Sequence, residues 1–140
     1  MYGICGVFEF TGQTELSHER LGLMADAMAH RGPNDRGTYV SPDRRVGFGF
    51  RRLSIVDLSS AGHQPMSNED GMVWIVFNGE IYNHADLRRE LEALGHVYRS
   101  RTDTESVLHG YEERDADVVH RLRGMFAFAI WDEDKGEGNL

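Results

Sequence analysis

Apolar positions along this chain come in short runs divided by polar turns, with helical spacing in only a few places. The stretch Gly3–Phe10 reads as a strand closed by a Thr11-Gly12 turn. Ser17 then stands as a helix N-cap, with Leu16 and Leu21 placed as a hydrophobic staple. Leu21, Met24, Ala25 and Met28 recur at helical intervals, a stripe that belongs in a core. His30–Gly37 is a polar turn rich in Gly, Pro, Asn and Asp. Strands are predicted over Thr38–Val40, Arg45–Phe50 and Leu53–Leu58, and a long loop over Ser59–Gly71. The apolar run Met72–Asn78 reads as a buried strand. A helix is predicted over Asp86–Leu94, with Leu87, Leu91 and Leu94 on one face and Gly95 at the C′ position. A second helix is capped by Asp103 or Thr104 and runs through Tyr111. Met125–Asp132 is another buried strand, and Asp134-Lys135-Gly136 its hairpin turn.

Most elements are thus short strands, with helices between them. Apolar runs buried on both faces need cover on both sides. Two packed sheets flanked by helices supply it, although periodicity alone does not determine the topology. No internal repeat, linker or low-complexity tract interrupts the chain.

Composition narrows the function classes. With 140 residues, one domain is expected. The formal net charge of −8 argues against nucleic acid or an anionic membrane as the main partner. The longest apolar runs, Met72–Phe77 and Met125–Trp131, fall far short of the ~18 residues of a membrane span. No basic segment precedes an apolar stretch at the N-terminus, so no signal peptide is read there. Cys5 is the only cysteine, which excludes an internal disulfide and fits a reducing cytoplasm. The seven histidines show no metal-ligand spacing with Cys, Asp or Glu, and no metal is expected.

A site for a free amino acid amide needs a cation for the carboxylate and an anion for the ammonium. Amide hydrolysis further needs donors aimed at the developing oxyanion and an activated nucleophile. Arg52, between two strand-like segments, suits the first task because its fork bonds both carboxylate oxygens. Asp103, opening a helix, suits the second. Asn78-Gly79-Glu80, closing a buried strand, offers the donors, and Gly79 lets a ligand approach the backbone. Singly, each has a plainer reading: an exposed strand-end arginine, a helix cap, an Asn-Gly turn.

A resemblance joins them. The opening Gly3-Ile4-Cys5-Gly6-Val7-Phe8 resembles the start of class II, N-terminal-nucleophile glutamine amidotransferases. His30-Arg31-Gly32-Pro33-Asn34-Asp35, Arg52-Leu53-Ser54-Ile55-Val56-Asp57-Leu58, Gln64-Pro65-Met66 and Asn78-Gly79-Glu80-Ile81-Tyr82-Asn83 resemble the asparagine synthetase branch. Arg101-Thr102-Asp103-Thr104-Glu105 and Gly124-Met125-Phe126-Ala127-Phe128-Ala129 complete the match, in order, over nearly the whole chain. The resemblance implies an α+β fold, a four-layer αββα sandwich of two antiparallel sheets. It implies that Arg52 holds the glutamine carboxylate, that Asn78 and Gly79 form the oxyanion hole, that Asp103 holds the ammonium, and that Glu80 lines the pocket. Glutamine is the implied ligand, with a synthetase domain or subunit as partner. It implies no cofactor for residues 1–140; ATP and magnesium would belong to the synthetase domain.

The chain departs from the pattern at two places. The family nucleophile is a cysteine exposed when the initiator Met is removed, and its free α-amine helps move the proton. Here that position is Tyr2, a phenol with a pKa near 10 and a poor nucleophile at neutral pH. A bulky second residue also disfavours Met1 removal. Cys5 lies roughly 10 Å along the strand, on the opposite face, and reads as a small apolar residue. At the other end, Gly136-Glu137-Gly138-Asn139-Leu140 leaves the family pattern, and the Ser-Gly-Gly-x-Asp-Ser loop of the synthetase domain is absent. A C-terminally truncated amidotransferase domain is therefore expected, with glutamine hydrolysis lost or severely impaired. The alternative is a non-catalytic glutamine-binding or scaffold module, similar to β-lactam synthetases, which have lost the cysteine. Amidotransferases of sugar-phosphate or purine pathways share only the opening.

Overall fold

The computed structural model describes residues 2–9, 16–28, 35–52, 62–135 and 137–139, with the backbone alone at 2, 35, 52 and 137–139. Strand β1 spans Tyr2–Phe8, helix α1 His18–Asp26, β2 Asp35–Val40 and β3 Val46–Arg52. Then follow β4, Met66–Ser67, β5, Val73–Ile81, α2, His84–Ala93, and α3, Asp103–Arg114. A 3-10 turn over Asp115–Arg121 leads to β6, Gly124–Asp132, and β7, Glu137–Asn139. Two antiparallel sheets result, ordered β1-β3-β2 and β4-β5-β6-β7.

Period-two alternation explains the layers. On β5, Val73, Ile75, Phe77 and Ile81 join Leu87, Val107, Leu108 and Tyr111 in a core beneath the helices. Val76 faces the other way, with Trp74 and with Trp131 of β6, against Tyr39, Val46, Phe48 and Phe50 of the first sheet. The strand is buried on both faces because helices cover one and a sheet covers the other. Each large side chain sealed in these cores, such as Phe50 and Phe77, contributes ~1.5–3 kcal/mol by leaving water.

On the outer face of the first sheet, β3 reads Val46-Gly47-Phe48-Gly49-Phe50. Its large residues point inward, and its glycines lie under α1. A Cβ at Gly47 would stand 2.6 Å from Leu21 Cδ1, and one at Gly49 would stand 2.6 Å from Cys5 Sγ. The glycines let α1 settle close against the strand, giving the fourth layer of an αββα sandwich. Ser17 caps α1 as expected, its Oγ accepting from the Arg20 amide at 3.2 Å. The staple partners Leu16 and Leu21 are both buried. In the predicted stripe, Leu21 and Ala25 are buried while Met24 is exposed.

Several expected boundaries shift. The strand predicted to end at Asn78 continues to Ile81, so Asn78-Gly79-Glu80 lies within β5. Its polar residues interrupt the buried run, which resumes at Ile81. Asp35–Gly37, expected in a turn, belongs to β2 and pairs with β3. The expected loop over Ser59–Gly71 contains β4, which pairs with β5. Leu94 is exposed at the C-cap of α2, and Gly95 follows in the C′ position with φ +99°. Residues 137–139, expected to leave the family's sequence pattern, pair with Ile130–Asp132 as β7. The Thr11-Gly12 turn and the expected strand Leu53–Leu58 lie outside the described residues.

Candidate functional site

Two groups of predicted site residues form on the two facing sheets. On the first, antiparallel pairing of β1 with β3 makes Tyr2 the direct partner of Arg52. Arg52 is the last residue of β3, and the strand expected after it lies outside the described residues. On the second, Asn78, Gly79 and Glu80 follow one another in β5, and β1 packs across this strand. By alternation Asn78 shares the face of Trp74 and Val76, the face turned toward the sheet of Tyr2 and Arg52. Asn78 is half-buried, and Gly79 and Glu80 are exposed.

Gly79 has φ +141°, a region closed to side chains bearing a Cβ. A Cβ there would also run into the Met125 carbonyl oxygen and the Phe126 Cα on β6. Glycine is thus demanded by the neighbouring strand, whatever ligand approaches. The edge of β5 away from β6 is closed by side chains on either side of it. Gln64 Oε1 accepts from the Phe77 amide at 2.7 Å, and Asp103 Oδ2 accepts from the Ile81 amide at 2.8 Å. Gly79 lies midway between these two in the same alternation.

Asp103 is the first residue of α3, and Thr102 before it takes the N-cap position without a side-chain cap bond. The expected capping role is corrected: the Asp103 carboxylate reaches out to β5 instead. Burial pushes its carboxyl above the usual aspartate value; the Ile81 amide and nearby His84 pull it back, and Glu80 adds to the rise. Asp103 and Glu80 therefore share one electrostatic neighbourhood at the end of β5.

Cys5 occupies the α1 side of β1, half-buried beside Gly49. Burial pushes its thiol up, only partly offset by a bond with the Gly49 backbone. A raised thiol pKa lowers the thiolate fraction, so the environment works against Cys5 as a nucleophile.

Gln64 carries more of the site's support than its place in the Gln64-Pro65-Met66 block suggests. It is buried, and besides the Phe77 amide it reaches Thr104 Oγ1 at 3.3 Å, tying β5 to α3. Periodicity carried no sign of this, since the contacts span 13 and 40 residues. The spacing of histidines also gave no hint that His96, His109 and Glu112 converge. The one local signal was the His109-x-x-Glu112 interval on a helix.

Comparison with known proteins places the chain as a whole. The sequence model of the family described as "Glutamine amidotransferase domain" matches residues 1–140. Asparagine synthetase [glutamine-hydrolyzing] 1 of Bacillus subtilis is 46% identical over 136 residues, covering 96% of this chain and 21% of that protein. Asparagine synthetase [glutamine-hydrolyzing] 2 of the same organism is 40% identical over 139 residues, covering 98% and 18%. The chain thus spans about a fifth of the length of these relatives. Among solved structures, the glutamine phosphoribosylpyrophosphate amidotransferase of B. subtilis superposes with a TM-score of 0.68 at 18% identity. The match covers 93% of this chain and 35% of the other, and supports the fold alone. With a family match over its full length and the expected two-sheet sandwich, this chain belongs to the glutamine amidotransferase domain family.

Proposed function

We propose that this chain is the glutamine-recognising domain of an asparagine synthetase, with its ammonia-releasing step lost or severely impaired by Tyr2. The observation that carries the reading is the register of β1 on β3, which pairs position 2 with Arg52. In the family pattern these are the nucleophile position and the arginine that holds the substrate carboxylate. A nucleophile paired with that arginine would meet the substrate whose carboxylate the arginine clamps. Asn78 and Gly79 would then donate to the oxyanion, while Asp103 holds the ammonium and Glu80 lines the same end. A phenol at position 2 removes the thiol and, by retaining Met1, the free amine as well.

Ammonia from an active copy would pass to a synthetase domain or subunit. ATP and magnesium would act there, and the amidotransferase chemistry itself needs no cofactor. The acidic charge and single cysteine support a cytoplasmic setting. No described helix is long and apolar enough to cross a membrane.

Calorimetric titration with glutamine, run beside an ammonia-release assay, tests the proposal. Binding without turnover supports it. Efficient release of ammonia by the unsubstituted chain would overturn the impairment. Failure to bind glutamine would favour a second reading, a scaffold module, which Tyr2 itself motivates.

A further inference from the structure

Along α3, two imidazoles and four carboxylates meet, among them Glu69, whose Oε1 lies 4.0 Å from His109 Nε2. Gly95, with its positive φ, ends α2 in a Schellman turn: its amide donates to the Glu92 carbonyl and the His96 amide to the Leu91 carbonyl. That turn delivers His96 beside α3, where its ring lies 5.0 Å, centroid to centroid, from the ring of buried His109. One ligand atom each of His96, His109 and Glu112 lies within 4.8 Å of the others. Glu112 Oε1 stands 2.7 Å from His109 Nδ1 and 4.0 Å from His96 Nδ1.

The second nitrogen of each ring is held by a further carboxylate. His96 Nε2 meets Glu113 Oε1 at 2.6 Å, and His109 Nε2 meets Glu105 Oε2 at 3.2 Å. Glu105 is buried and fixed in turn by the Arg99 amide, at 3.0 Å to each oxygen. When Nε2–H donates to a carboxylate, the Nδ1 lone pair is left facing outward. Both such lone pairs border one Glu112 oxygen, three electron-rich atoms that a shared proton or a metal ion would hold together. A proton on His109 bridges two of them; a metal ion would bridge all three. A carboxylate behind each metal-bound histidine is the usual way such ligands are oriented.

We propose that His96, His109 and Glu112 bind a divalent transition metal of the zinc class. Glu113 and Glu105 would orient the two imidazoles. Two nitrogens and one carboxylate oxygen match zinc's preference, with the fourth tetrahedral position left to water. His96 and Glu112 are partly exposed, so an ion reaches the centre from solvent. The metal would tie the exit of α2 to α3, the helix that begins with Asp103.

The test is calorimetric titration of the full, tag-free chain with Zn2+, repeated on His96→Ala, Glu112→Gln, Glu113→Gln and Cys5→Ser. His109 is too buried to serve as the first variant, whereas His96 and Glu112 lie near the surface. Circular dichroism verifies that each variant folds. Expected are one Zn2+ per chain and at least a tenfold loss of affinity in His96→Ala and Glu112→Gln. A ~10–100-fold loss is expected in Glu113→Gln. In the parent, Zn2+ should shift the ring resonances of His96 and His109. No stoichiometric uptake, uptake unchanged in His96→Ala and Glu112→Gln, or uptake abolished by Cys5→Ser would each overturn the site.

Discussion

At position 2 a phenol stands where the proposed reaction needs a thiol and a free amine on one residue. The Tyr2→Cys substitution supplies the first and, by permitting Met1 removal, the second. Ammonia release from glutamine should rise on the order of 10³-fold or more above the parent, provided mass measurement shows the processed N-terminus. Adding Cys5→Ser should leave that gain intact, since Cys5 sits under α1 with its thiol pushed up by burial. A processed Tyr2→Cys protein without activity would show a further defect. Asp103 offers a pH test. Burial raises its carboxyl above 3.8, so the folded chain holds this proton more tightly than the unfolded chain. Its contribution to stability is complete below about 3.8 and is lost as pH rises through the raised folded value. Relative to Asp103→Asn, the parent should lose stability across that rise, read from urea midpoints. A difference that stays flat with pH would remove the proposed desolvation. The family blocks made Asp103 legible as a candidate site residue. Its bond to the Ile81 amide was not, because a contact across 22 residues leaves no trace in local pattern.

Among the elements, β5 concentrates the most consequences. Gln64→Ala would strip the buried Phe77 amide of its acceptor, at a cost of ~1–3 kcal/mol, measurable in denaturant unfolding. Gly79→Ala should cost at least ~1–3 kcal/mol through its backbone conformation alone, with the collision against β6 added. Wild-type stability in either variant would contradict the geometry described for this strand. The apolar run made the first half of β5 readable; Asn78-Gly79-Glu80 hid the second half by imitating a turn. Likewise β7 carries no apolar signature, because it is held by backbone pairing to β6. Helix α2 was legible for the opposite reason: Leu87 and Leu91 bury one stripe, and Gly95 stops it.

For the molecule as a whole, the seam between the sheets is marked by its two tryptophans. Trp74 of β5 stacks on Tyr39 of β2 at 4.2 Å, and Trp131 of β6 meets Phe8 of β1 edge-on at 5.4 Å. Tryptophan fluorescence therefore reads contact between sheets, while far-UV circular dichroism is weighted toward the helices. If the four layers unfold as one unit, the two urea transitions coincide; separate midpoints would show that the sandwich opens before its helices melt. The need for two sheets with outer helices was readable from runs apolar on both faces. The strand order was not, since pairing β1 with β3 rather than with β2 depends on contacts between distant segments. The structural duties of Gly79 and Asp103 reach beyond any assay. One is demanded by β6 and the other holds an edge of β5, so selection for folding alone would preserve both. Genetic drift in a lineage without the thiol would therefore leave these two positions uneroded. Their presence is then no record of current use. Tyrosine and cysteine codons differ by a single base, so the path back to chemistry stays one point mutation long.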